Sequence, residues 1–305
     1  MNLWILQRKS NVLVHYDQDR FEVEARILGI ALTIVSPDDL DIVVTAKGSC
    51  RVLLCGVESA LPDCVLPRTG SGTDYLSLAI LRQFEQLGVP VANASKAIDL
   101  AKDKFFSLQI LAASGLSVPT SLLARYPIDL GLIDRQIGLP CIVKVLSGSY
   151  GEGIYLSHDY ESLRDLLELI YSLDQSRNLI LQQYIGDRPG EDLRLWVVGG
   201  RVVGAMHRCS TDGSFKANIT RGGVGKTYPL DPMLERIGSR AAEALGLQIA
   251  GVDLLFDGDG YRICEVNSSP GFKGFEDTTG INIALHVLGY CQQLAASDCC
   301  IAGVS

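Results

Sequence analysis

The sequence predicts an α/β protein of two or three lobes. Its 305 residues, 47% of them hydrophobic, are enough to fill more than one hydrophobic core. In the first third of the chain, apolar runs alternate with helical periodicity, which is typical of a parallel sheet. Short runs joined by turns follow, and two of these turns have the pattern of β-hairpins.

The charge and cysteine content exclude several classes of protein. A net charge of -8 and a pI near 5.1 argue against a general binder of nucleic acids or membrane surfaces, which would be basic. No stretch approaches the roughly 18 uninterrupted apolar residues of a membrane helix. We therefore expect neither nucleic-acid nor membrane partners. The nine cysteines are odd in number and form no C-x-x-C pair, so we expect a protein of the reducing cytoplasm.

A first domain is predicted over residues 1–94. Its helical periodicity falls at 21–29 and 75–88, and a short run, VPVAN, ends it. Its predicted strands are NLWIL (2–6), ALTIVS (31–36), RVLLCGV (51–57) and CVLPR (64–68).

A second lobe is predicted over residues 95–185. The segment 95–115 favours one long helix with Ser95 as its N-cap and a terminal glycine. The later elements are the strands PCIVKVL (140–146), GIYLS (153–157) and NLILQQYI (178–185), and a helix at 161–173.

A third lobe is predicted over residues 186–296, and 297–305 is a tail. A first hairpin should turn at Gly199–Gly200, because apolar β-branched runs flank this pair. A helix over Pro232–Leu245 precedes a second hairpin at 251–267, and a helix around Ile281–Leu294 closes the lobe.

Two stretches could contact phosphates, and only one is retained. The sequence GGVGKT (222–227) ends like a P-loop, but the signature needs glycine where Thr220 stands and a buried strand before it. In KVLSGSYGEGIYL (144–156), Lys144 ends a strand and a glycine-rich turn leads into the next strand. Such a loop can fold over phosphates as a hairpin flap, although an ordinary β-turn fits the pattern equally well.

The second hairpin predicts a cation site. Glu265 and Asn267 are two residues apart in YRICEVN, and Asp253 lies in the partner strand. If the loop is Gly258–Gly260, Asp253 is opposite Glu265, whereas a slip of one residue would place it opposite Cys264. These oxygen donors suit Mg²⁺. Solvated surface charges are the alternative, but they fit apolar strands poorly.

These features resemble the ATP-grasp superfamily, and several segments resemble its RimK-type glutamate ligases. The resemblance runs from about Leu66 to Leu288, in the same order along the chain. It rests on VLPRTG, LRQFEQLGVPVAN, AKDKFFSLQILAASGL, DLRLWVVGGRVVGAM, FKANITRGG, AGVDLL and EVNSSPGFKGFEDTTGI. It implies an ATP-grasp fold, with residues 1–94 as a Rossmann-like pre-ATP-grasp domain.

The resemblance also implies roles for individual residues in binding ATP. Lys104 and Lys144 would contact its phosphates, beneath a flap at 147–153 that includes Ser149 and Gly151. Gln183, Tyr184 and Ile185 would be the hinge that reads adenine, and Asp192 would hold ribose. Relatives often have glutamate at Gln183, but the amide oxygen can still accept from the adenine amine.

The same resemblance implies the metal and substrate residues. Asp253, Glu265 and Asn267 would bind Mg²⁺ or Mn²⁺, with two ions expected. Arg208, Asn218 and Arg221 would be catalytic, and Lys216 and Asn218 would also contact the nucleotide. Lys216 stands where relatives have arginine, and Ala217 where they have a hydroxyl residue. Residues 187–226 contain seven Lys/Arg and four Asp/Glu, a local positive charge that anionic ligands require. For Arg208 and Arg221 the alternative is that they are solvated surface charges.

The substrate arginines would be Arg68, Arg208 and Arg221. Arg68 follows a strand of the first domain, where open sheets bind ligands, although it could equally be a turn arginine in water. His207 is given no role.

The resemblance implies a carboxylate-amine ligase that forms an amide through an acyl phosphate. Glutamate would be added to a carboxylate acceptor, and the protein would be a homo-oligomer, with a tetramer as one form. Two alternatives remain: a related ligase that uses another amino acid or a cofactor substrate, and a non-catalytic nucleotide-binding module.

Overall fold

The computed structural model of the protein describes residues 1–9, 15–46, 48, 50–145, 153–215, 217 and 222–302. Within these ranges the chain forms four sheets with helices packed against them, so the predicted α/β class is confirmed. None of the helices in these ranges is long and apolar enough to cross a membrane.

The first sheet is parallel, as the alternation of strands and helices predicts. The elements that form and cover it are β1 (Asn2–Leu6), α1 (His15–Leu28), β2 (Ala31–Val35), β6 (Cys64–Pro67) and α2 (Tyr75–Gln86). The strand order is β2-β1-β6. In β1, Leu3 and Ile5 are buried in one core, whereas Trp4 and Leu6 are buried in another. This central strand is therefore covered on both faces, which explains its uninterrupted apolar sequence.

The predicted strand RVLLCGV does not join this parallel sheet. It forms part of a small antiparallel sheet made of β3 (Leu40–Val44), β4 (Cys50–Leu54) and β5 (Val57–Glu58). The chain reverses between β4 and β5 at Cys55–Gly56, where both residues have positive φ angles of 50° and 76°. The prediction of a fourth parallel strand was wrong, because this turn lies inside the apolar run. The run VPVAN contributes only an isolated bridge between Val65 and Val91.

The predicted long helix at 95–115 is two helices. They are α3 (Ser95–Lys102) and α4 (Lys104–Ala113). Asp103 separates them with an extended backbone, and its side chain accepts hydrogen bonds from the amides of Phe105 and Phe106. An N-cap within the helical pattern therefore starts a second helix. Ser95 is not the N-cap of α3: it is the first helical residue, and its amide and hydroxyl donate to Glu85.

The second lobe contains a four-stranded sheet of order β7-β10-β8-β9. Its elements are β7 (Ser121–Ala124), α5 (Leu130–Gln136), β8 (Cys141–Val145), β9 (Ile154–Ser157), α6 (Tyr160–Leu173) and β10 (Leu179–Gln183). Strands β8 and β9 pair antiparallel, with Lys144 opposite Ile154. The glycine-rich segment thus connects two strands of a hairpin, as predicted. Residues 146–152 lie outside the described part of the chain, so the flap itself stays a prediction.

The third lobe is built on a five-stranded antiparallel sheet of order β13-β12-β11-β14-β15. Its strands are β11 (Glu191–Val198), β12 (Arg201–Cys209), β13 (Val224–Tyr228), β14 (Ile249–Asp257) and β15 (Gly260–Asn267). Both predicted hairpins are confirmed, with turns at Gly199–Gly200 and Gly258–Asp259. The motif GKT lies within β13, so its rejection as a P-loop agrees with the structure.

Helices cover both faces of this sheet. The helices are α7 (Pro232–Ala244), which confirms the prediction at 232–245, α8 (Lys273–Thr279) and α9 (Ile283–Ala302). Alternate residues of β11, such as Leu193 and Leu195, pack with α7 residues in one core. On the opposite face, Trp196 packs with residues of α8, α9 and the first sheet. Helix α9 continues to Ala302, so the prediction of a separate tail from residue 297 was wrong.

Candidate active site

A row of charged side chains crosses one face of the five-stranded sheet. Cross-strand pairing places Arg208 opposite Asp192, Arg194 opposite Asp253, and Asp253 opposite Glu265. Paired residues point to the same face of a sheet, and residues two apart along a strand share that face. The row therefore lies opposite to the face that packs against α7.

A β-bulge aligns the last pair of this row. The turn at Gly258–Asp259 pairs Asp257 with Gly260, and a regular ladder from there would place Asp253 opposite Cys264. The register shifts between Asp253 and Leu254, so that Leu254 pairs with Ile263 and Asp253 with Glu265. Cys264 is the extra residue in β15. The predicted juxtaposition of the two carboxylates is confirmed, although it depends on this bulge and not on a longer loop.

Asp253 is held by two arginines. Its Oδ1 accepts from Arg194 Nε at 2.5 Å, and its Oδ2 accepts from Arg194 Nη2 at 2.6 Å and is 3.1 Å from Arg208 Nη2. Burial alone would raise the pKa of Asp253, but the two guanidiniums outweigh it and lower that pKa. Asp253 is therefore a carboxylate whose charge is balanced by Arg194 and Arg208.

Arg208 joins Asp253 to Asp192. Its Nε and Nη2 donate to the two carboxylate oxygens of Asp192, at 2.6 and 2.7 Å. Burial would lower the pKa of Arg208, but Asp253 and Asp192 raise it. Arg208 is 6% exposed, which excludes a solvated surface arginine. The ribose role of Asp192 stays a prediction, and its carboxylate is committed to Arg208 in this structure.

Arg194 is a site residue that the sequence motifs do not indicate. It lies two residues after Asp192 in β11, within an otherwise apolar run. A charged residue inside such a strand was the available signal, because this position needs a buried partner. Its partner Asp253 is 59 residues away in sequence, so the pairing itself could not be recognised without the register of β11 and β14.

Asn267 is the last residue of β15 and is paired with Gly251. A Cβ atom at Gly251 would lie 2.8 Å from Pro270 Cβ and 3.3 Å from Arg194 Cδ. Glycine thus allows the turn after β15 to fold back over the strand. The three predicted metal ligands, Asp253, Glu265 and Asn267, lie at neighbouring positions of β14 and β15 on the face of the charged row.

Lys144 reaches the charged row from the second lobe. Its Nζ is 3.7 Å from Sγ of Cys264, the bulged residue beside Glu265. Cys264 is half-buried, and burial raises the pKa of its thiol, although Lys144 acts in the opposite direction. The predicted phosphate-binding lysine therefore lies beside the predicted metal ligands. Lys104 is the first residue of α4, directly after the capping Asp103.

The predicted hinge follows β10. Gln183 N donates to Thr120 O at 2.8 Å, and Gln183 Oε1 is 3.4 Å from Thr120 N and 3.5 Å from Arg262 Nη1. Ile185 is buried, and burial raises the pKa of Tyr184. Arg262 lies in β15, so its contact with Gln183 links β15 to this segment. Its Nε also donates to Asp257 of β14 at 2.5 Å.

Comparisons with known proteins agree with this architecture. A family model described as RimK-like ATP-grasp domain matches residues 101–291, and one described as RimK PreATP-grasp domain matches residues 1–98. The chain belongs to the RimK-like ATP-grasp family. As a member of this family it is an ADP-forming ligase, and the predicted ATP-grasp fold and family are confirmed.

Three proteins illustrate the similarity to RimK-like sequences and folds. A "probable alpha-L-glutamate ligase" of Picosynechococcus sp. is 39% identical over 235 residues, which are 77% of each chain. The crystal structure of a RimK domain protein from Sphaerobacter thermophilus matches 95% of this chain and 99% of its own, with a TM-score of 0.74 and 20% identity. The structure of the ATP-grasp ligase PsnB, in a complex with a precursor variant, Mg and ADP, matches 96% of this chain and 97% of its own. Its TM-score is 0.72 and its sequence identity is 20%.

The donor set fits the Mg²⁺ that RimK-like ATP-grasp ligases bind with ATP. Two carboxylates and an amide oxygen are hard donors, and their spacing on adjacent strands keeps them together. The two arginines already balance the charge of Asp253, so a bound cation would compete with a guanidinium for its oxygens. Three guanidinium contacts leave Oδ1 of Asp253 one further lone pair for a cation, and a shift of Arg194 or Arg208 would free more.

Arg68 is not in water, although it follows a strand of the RimK-like first domain as predicted. Its side chain is 8% exposed, and Nη2 donates to Asp17 Oδ2 at 2.6 Å and to Pro270 O at 2.8 Å. The guanidinium also lies 5.7 Å from the centre of the Phe272 ring. Arg68 thus connects the first domain to the turn after Asn267, and its predicted contact with a substrate carboxylate stays a prediction.

Five predicted site residues lie outside the described part of the chain: Ser149, Gly151, Lys216, Asn218 and Arg221. Their roles in this RimK-like site stay predictions. Ala217, between two of them, is buried.

Proposed function

We propose that this protein uses ATP to add L-glutamate to the carboxylate of a protein, a peptide or a small molecule. The observation that carries the proposal is the charged row from Arg208 to Glu265, in which Arg208 and Asp253 are buried, with Lys144 beside it. Relatives named glutamate ligases support the choice of amino acid.

The reaction transfers the γ-phosphoryl group of ATP to an oxygen of the acceptor carboxylate, which gives ADP and an acyl phosphate. The amine nitrogen of glutamate then attacks the carbonyl carbon. Phosphate leaves with the electrons of the C–O bond, and the nitrogen loses a proton as the amide forms. Both steps move negative charge, so positioning and charge balance are the tasks of the protein.

Lys144 and Arg208 supply positive charge at this site. Lys144 and Lys104 would hold the phosphates of ATP, and Arg208 would face the transferring group. Asp253, Glu265 and Asn267 would hold Mg²⁺ or Mn²⁺, and we propose that two ions bind. These ions would neutralise phosphate charge during transfer. PsnB, whose fold is similar, binds Mg and ADP.

The ion pairs of Arg194 and Arg208 with Asp253 and Asp192 would also keep the site inactive in the absence of nucleotide. Without nucleotide, Arg194 and Arg208 satisfy Asp253, and Arg208 satisfies Asp192. Phosphate oxygens would give the guanidiniums new partners, which would release carboxylate oxygens for a cation. Nucleotide and metal should therefore bind cooperatively.

A ligase that uses another amino acid is the first alternative. The positive charge of residues 187–226 favours an acidic amine substrate, and Arg68, Arg208 and Arg221 are the proposed partners of its carboxylates. A preference for lysine in a screen of amino acids would favour the alternative. A non-catalytic nucleotide-binding module does not agree with membership of a ligase family, and such a module has no need of the paired Asp253 and Glu265.

The proposal is tested with the variant Glu265→Gln. It keeps the size of the side chain but removes one negative charge from the predicted metal site. We expect ATP binding to persist through Lys144 and the hinge, whereas amide formation should fall by at least about a thousandfold, because several kcal/mol of charge neutralisation are lost. ADP release and the mass of the product should be measured with each amino acid in turn.

The matched control is Asp259→Asn, in the exposed turn of the same hairpin. Asp257 is less suitable, because it accepts a hydrogen bond from Arg262. Parent-like turnover of Glu265→Gln would overturn the proposal. Mass analysis under non-denaturing conditions would test the proposed homo-oligomer.

A further inference from the structure

A second cluster of ligand-type side chains lies on the other face of the five-stranded sheet. Glu191 of β11 is paired with Cys209 of β12, and His207 is two residues before Cys209. These residues alternate with Asp192 and Arg208, so they point away from the charged row. They extend the face on which Leu193 and Ala205 pack against α7.

The donor atoms of this cluster are close together. His207 Nε2 is 2.8 Å from Glu191 Oε2 and 3.5 Å from Cys209 Sγ, and all three donor atoms lie within 4.8 Å of one another. A tetrahedral zinc ion with ordinary bond lengths would separate a nitrogen and a sulfur ligand by about 3.5 Å. The nitrogen–sulfur distance has the right length, but Sγ is also 3.8 Å from Nδ1, so the Cys209 side chain must rotate towards the in-plane lone pair of Nε2 to share a metal with it. The nitrogen–oxygen pair would need to open by about half an ångström.

The cluster is held in place by its surroundings. The His207 ring packs edge-on against Phe256 and Tyr228, with centroids 5.5 and 6.1 Å away. The strand ends are joined by a hydrogen bond from Ser210 N to Gly190 O at 2.8 Å. A Cβ at Gly190 would lie 2.4 Å from Ser214 O, so only glycine allows this close approach. Glu191, His207 and Cys209 are half-buried, which keeps a route from solvent open.

Two cations flank the cluster. Arg188 Nη1 is 3.9 Å from Glu191 Oε2, and Arg188 also stacks over Phe256. Lys226, which is exposed, is paired with His207 across β12 and β13. A weakly bound cation such as Mg²⁺ would be disfavoured here. A transition metal that binds a thiolate and an imidazole directly is not disfavoured, because metal–sulfur and metal–nitrogen bonds do not depend on net charge alone.

We propose that Glu191, His207 and Cys209 form a binding site for Zn²⁺ or a similar transition metal. The donors are one oxygen, one nitrogen and one sulfur, which leaves a fourth position for a water molecule. This combination selects for Zn²⁺ over Mg²⁺, so the two faces of the sheet bind different metals. Metal at His207 Nε2 replaces the hydrogen bond to Glu191 and fixes the imidazole proton on Nδ1.

The site adjoins the reaction centre through the backbone. Glu191 and Asp192 are neighbours in β11, and His207, Arg208 and Cys209 are consecutive in β12. Metal bound to Glu191, His207 and Cys209 therefore restrains the two strands that carry Asp192 and Arg208 on the opposite face.

The test uses Co²⁺ as a spectroscopic substitute for Zn²⁺, added to the full-length protein in excess Mg²⁺. The expected result is one tightly bound Co²⁺ per chain, with a thiolate-to-cobalt absorption band that Zn²⁺ abolishes. Cys209→Ser should lose the band, and His207→Gln should weaken Co²⁺ binding by at least about tenfold. Cys264→Ser is the control, since Cys264 lies near the predicted Mg²⁺ ligands, and it should keep the band.

The outcomes separate a metal site from a hydrogen-bonded cluster. A band that survives Cys209→Ser but disappears in Cys264→Ser would place the metal beside the predicted Mg²⁺ ligands and overturn the proposal. Absence of any thiolate band in the parent protein at saturating Co²⁺ would overturn it as well. Circular dichroism of each variant checks that loss of the band is not loss of the fold.

Discussion

The guanidinium of Arg194 donates two hydrogen bonds to the carboxylate of Asp253, from Nε at 2.5 Å and from Nη2 at 2.6 Å. It therefore engages both oxygens of a proposed metal ligand. A guanidinium and a divalent cation cannot both use the same lone pairs at full strength. If Asp253 binds the metal as proposed, Arg194 competes with it when nucleotide is absent.

Replacing Arg194 with Gln should strengthen metal binding to the nucleotide-free protein. Opposite charges about 4 Å apart interact by several kcal/mol at an intermediate dielectric constant, so we expect Mn²⁺ to bind about tenfold more tightly. Electron paramagnetic resonance of free Mn²⁺ measures this affinity. Arg201→Gln, at the exposed end of the same hairpin, should leave it unchanged. Weaker Mn²⁺ binding by Arg194→Gln would show that Arg194 orients Asp253 and does not compete for it.

Gln183→Glu should change which nucleotide base is preferred. Adenine presents an amine to the proposed hinge, and a carboxylate accepts a stronger hydrogen bond from an amine than an amide oxygen does. We expect the affinity for an ATP analogue to rise about fivefold, as an extra 1 kcal/mol would give. Hypoxanthine presents a carbonyl oxygen instead, so an ITP analogue should bind more weakly to the variant.

Calorimetric titrations of both analogues decide this prediction. Arg262 Nη1, 3.5 Å from Gln183 Oε1, can balance the new charge, so the variant should fold normally. Equal changes for the two analogues would show that Gln183 does not read the base.

Much of the fold was predictable from residue patterns, because a strand or helix whose hydrophobic residues recur with one consistent period can be recognised from its own sequence. Strand β1, both hairpins of the third lobe and helix α7 are of this kind. The break at Asp103 was missed because the residues on both sides favour helix, and only the capping hydrogen bonds to Phe105 and Phe106 reveal it. The meander after β3 was misjudged because RVLLCGV contains a turn that its apolar composition conceals.

The polar residues of the candidate site could be picked out from the sequence, but the pairing of Asp253 with Glu265 could be predicted only conditionally. Asp253, Glu265 and Asn267 stand out as polar residues in apolar strands. The bulge at Cys264 depends on strand pairing that no local pattern specifies, and so does the contact of Arg194 with Asp253. Long-range register is set by the whole sheet, and a single strand does not contain that information.

Asn93→Asp should destabilise the protein strongly. Asn93 Oδ1 accepts from Gln248 N and Ile249 N at 2.6 and 2.8 Å, and Nδ2 donates to Ile249 O and Ser268 O at 2.7 and 2.9 Å. The residue is 1% exposed. A carboxylate cannot donate, and it would bring a negative charge against two carbonyl oxygens. We expect a loss of about 3 kcal/mol in the free energy of unfolding.

Urea unfolding measures this loss. Gln293→Glu makes the same chemical change at an exposed position of α9 and should cost less than about 0.5 kcal/mol. A similar cost for both variants would contradict the view that Asn93 joins the first domain to β14 and to the turn after Asn267.

The last prediction concerns Tyr16, which connects α1 to α8. Its hydroxyl donates to Glu276 Oε2 at 2.8 Å, and the same oxygen accepts from Arg20 Nε at 2.9 Å. Burial is the largest cause, and the hydrogen bond to Glu276 the next, of a rise in the pKa of Tyr16 from 10.0 to about 12. The folded protein therefore holds this proton more tightly than the unfolded chain does.

The sign of the pH dependence follows from that rise. The contribution of Tyr16 to stability is complete below pH 10.0 and is lost as the pH rises towards about 12. Tyr16→Phe should remove this part of the alkaline loss, so its free energy of unfolding should fall less steeply with pH in this window. Urea unfolding at a series of alkaline pH values measures both slopes. The neighbours Lys273, Asp277 and Arg20 are present in both proteins, so the two variants differ only in the phenol hydroxyl. Equal slopes for the parent and Tyr16→Phe would mean that the phenol ionises as readily in the folded protein as in the unfolded chain, and the proposed strength of the Tyr16–Glu276 contact would be wrong.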